Sequence, residues 1–331
     1  SKAFPVGEAG AVFLLIAPGA GPVGTGEAQV AKADDVYASY YNPAGLGYLS
    51  GSELGVMHVN WLPNLADDIY YDFLAYRHSI PNLGTIGANL IYLNLGEQIR
   101  TDEEGNSLGT FSSNMWSLSS SFGSQITNSS SIGLGFKVIQ QNLAPEGAGS
   151  EGTKGSSTNI LFDLGYLNKF IDGGRTGIFT EFNFGLSLSN IGPKIWFQDK
   201  GQADPAPTNM KFGIYSTLYN NNFNKISFLL DANKLLVARY PAMDWDGNGI
   251  ISGDNEKAHS DSWYKAIFTA WLDDWYYGGD YDLNNDFLIG GWKCDGSISS
   301  ESDGSYKCDG SSDNFVQEDG GDYALDSDAN K

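Results

Sequence analysis

The sequence predicts an all-β fold: an antiparallel transmembrane β-barrel of the outer-membrane kind, with an N-terminal plug segment and an acidic external extension. Three observations carry this. Apolar residues recur with a period of two in one segment after another. The connections between those segments alternate between short and long, as barrel turns and outer loops do. Glycine (42 of 331 residues) and aromatic residues (13%) are abundant, which suits tight turns and aromatic girdles. No run approaches about 18 apolar residues, so no transmembrane helix is expected.

Residues 1–52 read as an irregular, glycine-rich plug or hatch. The apolar stretch 9–17 is too short for a signal peptide and lacks a basic leader, so the chain reads as an already processed protein. Gly19-Ala20-Gly21-Pro22-Val23-Gly24 matches G-x-G-x-x-G, but Pro22 interrupts it and no βαβ unit surrounds it, which excludes a dinucleotide site. Asp34 and Asp35 open a helical turn. Asn42-Pro43 stops it, because proline has no amide donor and disfavours helix in the residue before it. Gly45 and Gly47 then let the backbone bend around Leu46.

Residues 53–240 hold the strands, expected at 53–60, 69–79, 84–96, 114–125, 130–141, 158–167, 178–190, 209–218 and 224–234. Ile132, Leu134, Phe136 and Val138 point to one face, and Ser131, Gly133, Gly135 and Lys137 to the other. A soluble sandwich would alternate in the same way. The connections, about 8, 4, 17, 4, 16, 10, 18 and 5 residues, favour the barrel. On that reading Lys137, Asp163, Glu181 and Asp231 face a polar lumen.

The segment Asn42-Pro43-Ala44-Gly45-Leu46 resembles the asparagine–proline–alanine signature of FadL-type outer-membrane barrels, and more closely that of their PorV branch, a component of type IX secretion. Residues 231–237 (DANKLLV) and 263–271 (WYKAIFTAW) resemble a further pair of PorV segments. The resemblance implies a FadL-like barrel of about 14 strands, so that closing strands are absent from this chain, and it gives Asn42–Leu46 the role of a hatch at the barrel mouth. It further implies partners: outer-membrane lipid, the secretion translocon barrel, the C-terminal signal domains of cargo, and a surface sortase. The FadL side of the kinship implies an alternative, a channel for hydrophobic small molecules. A calcium-binding structural surface protein is a third reading.

Charge is distributed unevenly. Residues 241–331 hold 20 Asp/Glu against 5 Lys/Arg, and the whole chain carries −21, so no nucleic-acid partner is expected. Within this acidic region Asp244, Asp246, Asn248, Ile250, Asp254 and Glu256 follow the spacing of an EF-hand-type calcium loop, with Asn255 where a bidentate acid belongs. Calcium and a solvated acidic turn both remain open there. Asp280, Asp282, Asn284 and Asp286 repeat the spacing without the glycine. Cys294 and Cys308, each in a KCDGS repeat, read as a disulfide of an external loop. The histidines (His58, His78, His259) are scattered and there is no nucleophile elbow, so no enzyme activity is expected.

Overall fold

The computed structural model describes residues 9–64, 66–101, 107–144, 155–171, 176–197, 203–240 and 259–271, together with the backbone of four short strands beyond residue 291. Contacts divide the chain into two units, Gly10–Lys234 and the remainder (Ser1–Ala9 with Leu235–Lys331).

The first unit begins with short helical turns. A 3-10 turn spans Val12–Leu15, helix α1 Ala20–Gly24 and helix α2 Ala38–Tyr41, and a second 3-10 turn runs Pro43–Tyr48. The α2 stop falls where the Asn-Pro pair requires it. Asn42 is extended (φ −160°), and its side chain accepts the Ala44 amide, capping the turn that Pro43 opens.

Nine strands follow as one antiparallel sheet in chain order: β1 Ser52–Asn60, β2 Ile69–Ile80, β3 Gly84–Thr101, β4 Ser107–Gln125, β5 Ser130–Ala144, β6 Gly155–Ile171, β7 Gly177–Ile191, β8 Asn209–Asn220 and β9 Lys225–Leu235. All nine expected strands are present. The sheet is not closed, and β1 and β9 are its edges. Consecutive pairing places connections 61–68, 102–106, 145–154 and 192–208 on one rim, and 81–83, 126–129, 172–176 and 221–224 on the other.

Two of the long connections are shorter than the sequence suggests, because pairing continues past the expected strand ends. Gly96 does not terminate β3. It adopts a left-handed conformation (φ 76°) at a register shift between Asn94 and Glu97, and the Asp68 carboxylate accepts the Glu97 amide at 2.7 Å. A bulge of this type absorbs one residue and lets the ladder resume, so β3 and β4 reach 18 and 19 residues.

The two faces differ as a barrel wall requires. On β5, outward Leu134 is 57% exposed, whereas inward Lys137 is 6% exposed. The outward apolar band is not level. Register carries Val56 of β1 through Leu74, Leu90, Leu118 and Val138 to Ile160 of β6. On β7 the band instead runs from Phe182 to Leu188, opposite residues 164–171 of β6, displaced toward the 172–176 turn. A band that drifts along the register is what tilted strands in a flat membrane produce. At the rim that carries the longer connections the band gives way to Tyr70, Tyr92 and Trp116, to a His58–Asp72 pair at 2.6 Å, and to amide contacts linking Gln140, Asn142 and Asn114.

In the second unit, β10 (Arg239–Tyr240) pairs with β11 (His259–Ser260), and helix α3 spans Trp263–Thr269. Further on, β12 (Trp292–Cys294) pairs with β15 (Phe315–Gln317), and β13 (Ile298–Ser300) with β14 (Tyr306–Cys308).

The band makes a positional prediction. Leu134→Arg should cost about 2–4 kcal/mol, and Gln140→Arg, near the edge of the band, about 0–1 kcal/mol. Urea unfolding in lipid vesicles reads the difference, and equal costs would mean that the outward face does not meet lipid.

Candidate functional site: an inner face covered by the N-terminal segment

The segment from Gly10 to Leu49 lies against the inner face of the sheet, and Asn42, Pro43, Ala44, Gly45 and Leu46 are all buried at its centre. Asn42 joins three parts of the chain. Its Nδ2 donates to the Val30 carbonyl (2.8 Å) and to the Tyr166 carbonyl of β6 (3.1 Å), while its Oδ1 accepts the Ala44 amide (3.1 Å). The wall reaches back to the segment along its length. Ser131 Oγ donates to the Ala44 carbonyl at 2.6 Å, Asn89 Nδ2 to the Ser39 carbonyl at 3.2 Å and Thr85 Oγ1 to the Leu49 carbonyl at 2.9 Å.

This closeness is possible because the wall carries no side chains directly beneath the Asn42–Ala44 turn. Gly123, Gly133 and Gly165 are direct register partners across β4, β5 and β6. A Cβ on Gly133 would overlap the Ala44 nitrogen and Pro43 carbonyl carbon, one on Gly123 the Pro43 oxygen, and one on Gly165 the Asn42 Oδ1. Gly185 and Gly213, paired across β7 and β8, form a second bare patch under Val30 and Ala31.

Lys137, Asp163, Glu181 and Asp231 each have partners in the fold, although the buried Asp231 Oδ1 accepts no hydrogen bond. Lys137 and Asp163 form a buried ion pair at 3.0 Å. Asn190 completes it, accepting from Lys137 Nζ at 2.7 Å and donating its amide to Asp163 at 2.8 Å. Asn190 is left-handed (φ 59°), a conformation asparagine tolerates better than other side chains. Removing either charge alone would leave the other unpaired in a buried site, at a cost of about 3–5 kcal/mol. Glu181 accepts from Thr217 at 3.0 Å and pairs with Lys225 at 3.4 Å. Asp231 Oδ2 accepts the amides of Gln29 (2.9 Å) and Val30 (3.0 Å).

Toward the other end of the plug the filling is apolar. Phe13, Leu14 and Val36 pack with Tyr71, Phe73, Ile91 and Ile139 of the wall. Tyr40 donates to the Leu14 carbonyl (2.8 Å) and Tyr41 to the Pro18 carbonyl (2.9 Å). Burial holds both phenols well above their ordinary value, with nearby tyrosines and acids adding to it. The space left between plug and wall beside Tyr40, Tyr41, Lys137 and Lys211 is about 10 Å³, about the size of one water.

Sequence reasoning located the buried motif and the inward charges. It missed the plug-facing roles of Ser131, Asn89 and Thr85, which look like ordinary polar strand positions. The alternation of glycine with apolar residues on β5 was the available sign of the bare patch. Both calcium candidates, Asp244–Glu256 and Asp280–Asp286, fall outside the described residues, as do the side chains of Cys294 and Cys308. In the backbone Cys294 pairs with Phe315 and Cys308 with Ile298. Among the described residues no group of three His, Cys, Asp or Glu could hold a metal ion.

Two expectations follow. Gly133→Ala should destabilise the folded protein by about 1–3 kcal/mol or prevent assembly. Gly21→Ala, which opens into free space, should be neutral; thermal unfolding in detergent compares them. A phenol whose folded pKa is raised contributes stability that is complete below its unfolded value, about pH 10, and is lost as pH rises beyond it. Protection of the plug should therefore hold to about pH 9 and fall above about pH 10. Tyr40→Phe with Tyr41→Phe should flatten that fall, and an unchanged profile would remove the phenols from the account.

No curated protein sequence matches the chain. The family model described as "Type IX secretion system protein PorV" matches residues 6–242, a span that takes in the Asn42 motif and residues 231–237 but not residues 263–271, and the chain belongs to that family.

Proposed function

We propose that this protein is the outer-membrane barrel of a type IX secretion system that receives cargo at the translocon by its C-terminal signal domain and passes it to the surface sortase. Membership of the family implies an outer-membrane barrel and partners in the secretion machinery. The observation that carries the finer reading is the N-terminal segment packed against the inner face of the sheet. Pro43 and Ala44 lie so close to Gly123 and Gly133 that not even a methyl group fits between them, which leaves no passage for a hydrophobic solute beside the motif. Work is then done by surfaces outside the lumen, and the rim bearing connections 61–68, 102–106, 145–154 and 192–208 is the one assigned to the cell exterior. No bond-making residue is needed, because receiving and handing on a folded cargo is a matter of binding surface.

Deletion of the gene tests this. Translocon assembly should be intact, while cargo accumulates unprocessed inside the cell. Single cysteines in 145–154 should be labelled by an impermeant reagent on whole cells, and those in 126–129 should not. Normal cargo display combined with reduced uptake of a long-chain hydrophobic compound would replace this reading with the channel alternative.

A further inference from the structure

Two segments that stand far apart in the chain meet on one residue of the plug. Val30 is fully buried, and both of its main-chain groups are held by side chains. Asp231 Oδ2 on β9 accepts its amide at 3.0 Å and the neighbouring Gln29 amide at 2.9 Å, and Asn42 Nδ2 donates to its carbonyl at 2.8 Å. The backbone at Val30 and Ala31 lies directly on Gly185 and Gly213. A Cβ at Gly213 would meet Asp231 Oδ1 at 2.5 Å and the Ala31 nitrogen at 2.8 Å. Asn42 is itself tied to the wall through the Tyr166 carbonyl. Val30 is thus fixed to β6 on one side and to β9 on the other, with bare backbone beneath it.

We infer that Asp231 and Asn42 are positioning residues that clamp Val30 from both sides and keep the plug seated throughout the working cycle, so that the lumen stays closed while cargo is handled outside it. This rests on the secretion reading for its second test but not for its first. The physical basis is the cost of release. Withdrawing the plug strands a carboxylate, two amides and a carbonyl in a site built around them, and buried donors and acceptors without partners are what folded proteins avoid. Neither residue suits a part that must let go readily, because each serves several hydrogen bonds at once.

The first test is amide hydrogen exchange of the plug in the full chain. Asp231→Ala should speed exchange at Gln29 and Val30 by about tenfold or more, the loss expected for unpaired buried amides. Asp231→Asn, which keeps an acceptor oxygen, should restore much of the protection. Unchanged exchange in Asp231→Ala, or equal loss in the alanine and asparagine variants, would overturn the clamp.

The second test pins the plug. A Cβ built on Gly87 lies 3.1 Å from the Cβ of Ser39, a few tenths of an ångström short of the lower end of the usual disulfide spacing, about 3.5 Å. Ser39→Cys with Gly87→Cys should therefore cross-link plug to wall on oxidation. Should Gly87→Cys alone block assembly, the exchange measurement decides the clamp. In a deletion strain the oxidised variant should export cargo as well as the reduced one. Export that stops on oxidation and returns with reductant would show that the plug must move, and would overturn the inference. If the wild-type chain itself proved unnecessary for export, the secretion reading would fail, and the exchange measurement would still decide the clamp.

Discussion

The close approach of plug backbone to wall backbone at Gly123, Gly133 and Gly165 is the constraint on which the rest of the first unit depends. A sheet that meets lipid on one face must fill the other, and irregular backbone at membrane depth needs partners supplied by the protein. Bare wall solves both problems together. With no Cβ in the way, the extended and 3-10 turns around Asn42 come within hydrogen-bonding reach of Tyr166, Ser131 and Thr85. A wall of larger side chains would hold the segment off, and its carbonyls would then lack partners. The glycine content of the chain is in part a record of this packing, as well as of turns.

The electrostatics follow the same logic. Lys137 and Asp163 are costly to bury, and each is retained with a second hydrogen bond, Lys137 donating to Asn190 Oδ1 and Asp163 accepting the Asn190 main-chain amide, that leaves neither charge dependent on one contact. Asn190 takes up its place only because β7 is kinked there by a left-handed residue, beside a register shift between β6 and β7. A distortion that looks local therefore fixes the ion pair of two other strands, and its Nδ2 also reaches the Pro207 carbonyl, drawing in the segment that leads to β8.

Much of the wall was legible in the sequence, because period two is a one-dimensional property. The inward or outward sense of Ile132 to Val138 is set by sequence neighbours and needs no tertiary knowledge. Strand ends were less legible. Gly96 carries the same letter whether it ends a strand or forms a bulge, and the deciding contact is Asp68, from the connection before β2. The site was legible only as two separate motifs. Asn42 and Asp231 are far apart in sequence, and nothing in either stretch says that both seek Val30. That residue itself has an unremarkable apolar side chain, and its importance lies in its main chain, which a sequence does not show. Residues 263–271 read as kin to the family segments, yet they lie beyond the matched span.

Packing at the rim of longer connections uses the chain in a related way. The connection 192–208 does not simply span the gap between β7 and β8. Ile195 is buried in the apolar cluster with Phe13 and Leu14, Ile195 and Asp204 exchange backbone hydrogen bonds, and the Gly10 amide donates to the Pro205 carbonyl at 2.9 Å. The base of this loop is therefore part of the packing on the inner face, and it meets the plug at the end opposite the Asn42 turn. A loop anchored in this way transmits any movement of the plug to the rim, and any force on the rim to the plug. The wall contacts of Ser39, Ala44 and Leu49, spread along the plug and resting on a rigid sheet, oppose both. A sheet built like this presents a stable edge at its rim because its inner face is held from several strands at once.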